Sequence, residues 1–169
     1  MADTVFRFAV LMKPFGQQRH RTRAFVTNRH GEPAAGAMAY SPEANKVAKK
    51  IIQIHAVAAL RRYAKEWDIN GPMRVTITAF WKCGRPLVNG VRPAKWRPKK
   101  PDADNIAKSV LDALNGVLFL DDNQICDLRV LKIEDTQGRP DRIEVVVERF
   151  DDPTVDQFFL DEIRHNMKG

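Results

Sequence analysis

The segment from Asp102 to Val117 most tightly constrains the fold. Ile106, Val110, Ala113 and Val117 recur at i, i+4, i+7 and i+11, the repeat of one helical face, in a helix beginning near Asp102 or Asp104. Asp104, Lys108, Asp112 and Asn115 share the opposite face. A helix with one apolar stripe holds its shape by burying that stripe, so the remaining chain must supply a surface for it. Strand patterns lie on both sides. MRVTITAFW, residues 73–81, alternates Val75, Ile77, Ala79 and Trp81 with Arg74, Thr76 and Thr78, the two-residue period of a half-buried strand. ICDLRVLKIE and DRIEVVVERF read as two more strands around the turn TQGRPD, and TVFRFAVLM, residues 4–12, opens the chain as a strand closed by Pro14. The expected fold is α/β (α+β): a small mixed β-sheet flanked by two main helices.

The other helix starts at Ser41-Pro42, where Ser caps an orphan N–H and Pro at the first helical position has none to lose. Val47, Ile51, Ile54 and Ala58 recur there at helical spacing, Lys46, Lys49, Lys50, Arg61, Arg62 and Lys65 decorate other faces, and Gly71-Pro72 ends the element. His55, alone in this helix, reads as a packing or surface residue rather than a ligand. Between Phe15 and Tyr40 periodicity is lost, and QQRHRTRAFVTNRHGEP reads as a long loop or hairpin, either a solvated surface loop or an arm that contacts DNA. A second basic loop holds Lys82, Arg85, Arg92, Lys95, Arg97, Lys99 and Lys100 with no acid among them, and Trp96 in their midst. With 169 residues the chain has the length of one compact domain, expected over residues 1–150. Residues 151–169 form an extension in which Thr154 and Gln157 suit a capping box, and Phe158, Phe159 and Ile163 need a surface on the domain's own sheet or on a partner subunit.

A net charge of +7 and a pI near 9.6 favour a polyanionic partner, through release of condensed counterions. No apolar run is long enough to span a bilayer and the N-terminus lacks a cleavage pattern, so a cytoplasmic protein with no membrane role is expected. Cys83 and Cys126 lack metal-ligand spacing and read as reduced thiols.

Against this basic background, Asp102, Asp104, Asp112, Asp121 and Asp122 crowd one short window. Taken singly, each has a bland role: Asp102 or Asp104 as helix N-cap, Lys108 as the i+4 ion-pair partner of Asp104, Asp121-Asp122 as a solvated turn. Together they exceed those needs, because one cap uses one carboxylate. If the apolar run VLFL returns the second pair beside the first, repulsion among the carboxylates is relieved by a hard divalent cation, and Mg²⁺ suits an oxygen-only donor set completed by substrate phosphate. An EF-hand fails on spacing, since Ile106 and Ala107 stand where that loop needs an oxygen ligand and glycine. Carboxylates and cation beside a basic loop suit phosphodiester cleavage, with Lys108 neutralising charge on the phosphorane or assisting the leaving group.

PDADNIAKSVLDALNGVLFLDDNQICDLRVLKIE resembles the RusA family of Holliday junction resolvases, whose signature is D-x-D-N, a Lys four residues after the second Asp, D-A-L, and a later D-D-x-Q followed by a strand. The resemblance covers roughly residues 4–150. It implies a small, intertwined homodimer, bacterial or encoded by a bacteriophage, that binds four-way DNA junctions and makes paired, Mg²⁺-dependent incisions in recombination and repair, with Mn²⁺ as a substitute cation. By this resemblance Asp102, Asp104, Asp122 and Lys108 are catalytic. Asp102, Asp104, Asp122 and Asp121 are candidate metal ligands, and Asp112, Asn105 and Gln124 are supporting groups. Arg19, Arg21, Arg23, Lys95, Arg97, Lys99 and Lys100 are the candidate DNA contacts, and Trp96 could stack on an unpaired base. Two competing readings stand beside this one. In the first, a non-catalytic architectural protein binds branched DNA and its aspartates only cap helices; in the second, an enzyme acts on small phosphorylated molecules.

Overall fold

The structure, a computed structural model, describes residues 5–16, 21–29, 32–40, 43–64, 66–83, 94–150 and 165, with 21–29 and 32–40 described by their backbone alone. The elements run β1 (Val5–Val10), β2 (Arg21–Arg29), β3 (Glu32–Tyr40), α1 (Glu43–Tyr63), β4 (Met73–Lys82), β5 (Lys95–Trp96), α2 (Ala103–Leu114), a 3-10 turn (Asp122–Gln124), β6 (Ile125–Asp135) and β7 (Arg142–Arg149). A mixed five-stranded sheet has the order β1-β7-β4-β6-β5, with β4 and β6 parallel and the other neighbours antiparallel. The fold is thus α+β, as the strand and helix periods imply. The basic stretch after Phe15 forms an antiparallel hairpin, β2 on β3, apart from the main sheet.

Alternation along β4 decides which face is covered. Met73, Val75, Ile77, Ala79 and Trp81 are buried, as are Phe6, Phe8 and Val10 of β1 and Ile143, Val145 and Val147 of β7. Against this face α2 sets Ile106, Ala107, Val110, Ala113 and Leu114, joined by Leu118 and Phe119 of the next turn. Burying each large aliphatic side chain stabilises by about 1.5–3 kcal/mol. The opposite sheet face carries ion pairs: Arg74 Nε stands 2.6 Å from Asp127, which also meets Arg129 at 3.1 Å.

In α1 the buried side is not the stripe expected. Val47 and Ile54 are exposed at 52% and 55%, and Ala58 is exposed, whereas Asn45, Ala48, Ile52 and Ala56 are buried. Small alanines at 48 and 56 flank Ile52 and let the helix approach β1 and α2 closely, so packing selects the narrower stripe. The helix also ends at Tyr63, earlier than Gly71-Pro72. The chain continues through Trp67, whose ring packs on Phe6 at 5.7 Å and whose Nε1 donates to the Leu118 carbonyl at 2.9 Å. Arg149 pairs with Asp68 at 2.7 Å and the Phe150 N–H donates to the Pro72 carbonyl at 3.0 Å, fixing the last described part of β7. The expected C-terminal helix lies outside the described residues, apart from His165.

Candidate active site

Asp102 is the N-cap of α2, with extended backbone (φ −72°, ψ 152°), but its carboxylate makes no capping hydrogen bond. Asp104 stands exposed in the first turn, and Lys108 is exposed one turn later. Among the described residues neither makes an ion pair, and Asp104 and Lys108 are not joined to each other. The bland roles of cap and i+4 partner are therefore not what these side chains do. The carboxylates of Asp102 and Asp104 face solvent at the positive end of the helix dipole, which favours negative charge there. Behind them, Gly16 closes on the helix start: a Cβ there would lie 2.8 Å from the Pro101 Cβ and 3.0 Å from the Asn105 Cβ. Glycine is required at this position for close approach. The sequence carried no signal for it beyond the glycine itself.

The second pair divides its work. The Asp121 carboxylate accepts from the Asp122 N–H at 2.8 Å and forms a capping box with Gln124 over the 3-10 turn. Gln124 Oε1 accepts from Leu120 N at 2.7 Å and Asp121 N at 3.1 Å, while its Nε2 donates to the carbonyls of Ile69 at 3.1 Å and Gly71 at 3.0 Å. One amide thus ties the acid-bearing turn to the segment ahead of β4. Asp121 is committed to its own turn, which leaves the Asp122 carboxylate without a partner among the described residues.

Within one chain the two pairs do not meet. α2 has 12 residues, about 18 Å of helix axis. Its N-terminus lies beside Gly16, which comes after β1 at the end where Val10 pairs with Ile143 and Phe80 with Arg142. Its C-terminal end passes into the turn that Gln124 and Trp67 hold at the beginning of β4, where Met73 pairs with Ile125. Asp102 and Asp104 therefore stand at one end of the sheet and Asp121 and Asp122 at the other. Accordingly, among the described residues no three His, Cys, Asp or Glu side chains gather to hold a metal. The expectation that VLFL folds the second pair back on the first does not hold within a single chain, because that run is spent on Leu118 and Phe119, both buried in the core.

The basic side is partly as expected. Lys95 and Trp96 form β5, opposite Glu134 and Ile133, and both are exposed, Trp96 at 72%. Lys99 and Lys100 are exposed immediately before the acidic helix start. Arg97 departs from the expected DNA contact: its Nη1 meets Glu134 at 3.1 Å, its guanidinium lies 4.6 Å over the Trp81 ring, and its Nε is buried. It clamps the loop to the sheet and does not present a free cation. Arg21 and Arg23 lie on β2, described by its backbone only, while Arg19, Arg85 and Arg92 lie outside the described residues.

One charged group the sequence did not signal is Asp135, 2% exposed, which meets Arg142 at 2.6 Å and Arg139 at 2.9 Å. Burial alone raises its pKa, yet the Gln137 N–H and the two arginines outweigh this and hold it below 3.8. Asp127 is likewise held low against its burial by Arg129 and Arg74. The Asp127 pair fastens β6 to β4, the Asp135 cluster ties the end of β6 to the following turn and the start of β7, and both lie away from Asp102 and Asp104 in sequence.

Among the described residues no helix is long and apolar enough to cross a membrane. The chain is 28% identical over 109 residues to YqaN of Bacillus subtilis strain 168, an uncharacterised protein, a match spanning 58% of this chain and 72% of that one. Residues 12–148, which include α2, the Asp121-Asp122 turn and most of the sheet, match the family described as endodeoxyribonuclease RusA. That match spans the exposed D-x-D-N helix start, Lys108 one turn on and the second aspartate pair, and the chain belongs to the RusA endodeoxyribonuclease family.

Proposed function

We propose that the protein is a Mg²⁺-dependent, structure-selective endodeoxyribonuclease that resolves four-way DNA junctions by paired incisions, working as a homodimer in recombination and repair. The carrying observation is that Asp102, Asp104 and Lys108 are presented at one end of α2 with no structural task to consume them. The donor set fits a hard cation: Asp102, Asp104 and Asp122 offer oxygens only, and none is already engaged in a described bond. The chemistry a divalent cation supplies at such a site is polarisation of the phosphoryl oxygens and activation of water, with Mn²⁺ able to replace Mg²⁺. Lys108 brings its ammonium to the negative charge that grows on the phosphorane. Lys95, Lys99 and Lys100 draw the phosphate backbone toward the acidic helix end.

A two-fold dimer accounts for the separation of the two acid pairs. Where two α2 helices lie antiparallel across the axis, Asp102 and Asp104 of one protomer come beside Asp122 of the partner subunit, and the operation creates a second, equivalent site. The sites then stand about one helix length, roughly 18 Å, apart, suited to opposed strands. Leu120 and Leu128, exposed at 55% and 45% near the second pair, are apolar surface available for such a contact.

Purified wild type and Asp104→Asn are incubated with a labelled four-way junction and a matched linear duplex, in Mg²⁺ or EDTA. Metal-dependent, symmetric nicks in the junction alone, absent from the variant although it still binds, are expected. Binding by the wild type without incision would instead favour an architectural role. Mixing Asp104→Asn with Asp122→Asn then tests the shared site. Heterodimers regain one intact site and nick one strand if each site draws on both protomers, and stay inactive if each is built from one chain.

A further inference from the structure

A groove of about 430 Å³ lies between the C-terminal end of α1 and the turn after α2, lined by Leu60, Arg61, Ala64, Trp67, Ile69 and Val117. Its walls are apolar and its rim is basic, since Arg61 and Arg62 occupy the last turn of α1. The chain leaves the sheet beside it. Arg149 is paired with Asp68, between the lining residues Trp67 and Ile69, and Phe150 is bonded to Pro72.

The segment after Phe150 has the matching chemistry. DDPTVDQFFLDEIRHNMKG contains five acids and two bases, a net charge of −3 in a chain whose total is +7. Val155, Phe159 and Ile163 repeat at i, i+4 and i+8 with Phe158 alongside, so a helix begun at the Thr154–Gln157 capping box would carry one strongly apolar side. This tail lies beyond residues 12–148, the portion matched by the family, whereas the groove lies within that portion.

We propose that residues 151–169 fold back as an amphipathic helix into the groove of their own chain, with Phe158 and Phe159 against Leu60, Trp67 and Val117 and the acids toward Arg61 and Arg62. The reach is ample. The four residues from Phe150 to Thr154 span up to about 14 Å when extended and the first helical turn to Phe158 adds about 6 Å, and the tether starts at the rim. Tethering also holds the tail at a high effective concentration, on the order of millimolar, favouring its own groove over that of a second copy. So docked, the tail braces the Val117–Leu120 turn that delivers Asp121 and Asp122.

Hydrogen–deuterium exchange on the full chain, wild type against the double variant Phe158→Ser/Phe159→Ser, tests this. Amides of residues 60–69 and 115–119 should exchange about tenfold faster in the variant, with β4 and β7 unchanged as the control for the fold. Arg61→Glu should give the same change in smaller measure. Equal exchange in wild type and double variant overturns the proposal. Protection that weakens when the wild type is diluted would place the tail in another copy and overturn it equally.

Discussion

Gln124→Ala tests how far the acid-bearing turn depends on one side chain. The amide makes four hydrogen bonds of 2.7–3.1 Å, two accepting from Leu120 and Asp121 and two donating to Ile69 and Gly71. Each is worth about 0.5–1.5 kcal/mol net, and solvent can reach some of the groups left behind, so the loss is set toward the lower end at about 2–3 kcal/mol. In a chain of this size that lowers Tm by about 5–10 °C. The effect on catalysis is separable from stability. Released from Ile69 and Gly71, the turn no longer holds Asp122 at a fixed height, and a misplacement of about 1 Å costs up to about 100-fold in rate. Thermal unfolding followed by circular dichroism, and junction incision measured well below Tm, supply the two readings. Gln124→Glu refines the test by keeping the acceptor for Leu120 and Asp121 while setting a carboxylate against two carbonyls. It should destabilise at pH 7 and recover part of the loss as pH falls and the carboxyl is protonated. An alanine variant that melts within about 1–2 °C of wild type and cuts at the wild-type rate would refute the assignment of Gln124 as the tie that positions Asp122.

Gly16→Ala forces a methyl into the 2.8 Å and 3.0 Å approaches to Pro101 and Asn105 and should cost about 1–3 kcal/mol, with reduced incision at temperatures where the protein is fully folded. Asp135→Asn removes from Arg142, 6% exposed, the buried one of its two carboxylate partners while Glu144 stays at 2.6 Å, and should lower stability by about 2–3 kcal/mol in urea unfolding. The acid limb of stability follows from the depressed carboxyls. Asp135 and Asp127 bind protons less readily folded than unfolded, so their contribution is complete above their ordinary value of 3.8 and is lost as pH falls through the lower folded values. Tm should stay level from about pH 7 to 5 and drop below about pH 4, less steeply in Asp135→Asn. Lys99→Glu/Lys100→Glu should weaken junction binding and reduce the slope of log affinity against log salt by about 2; an unchanged slope places the DNA elsewhere.

Arg97 shows why composition misassigns some basic residues. In sequence it is one of seven cations in an acid-free loop, but β5 pairing turns it onto Glu134 and the Trp81 ring. The neighbouring lysines, with the same local signal, stay exposed. α1 offers a second case: its two apolar stripes are both helical repeats, and only the approach of β1 and α2 chose Ala48, Ile52 and Ala56 over Val47 and Ile54.

The sequence by itself determined the elements with one strong period, β4 and α2 above all, together with the α+β class and the family, because alternation and helical repeat are local properties of adjacent residues. It also set out the aspartates and lysine in signature order. Only the tertiary structure decided where those groups stand: Asp121 spent on its capping box, Asp102 spared from capping, and the two acid pairs parted by the length of α2. The capping box is local to its turn, but the parting of the two pairs rests on contacts between residues distant in sequence, Gln124 with Ile69, Trp67 with Leu118 and Gly16 with Pro101. No local period encodes such contacts, because they depend on how the sheet orders its strands and on which end of it each helix begins.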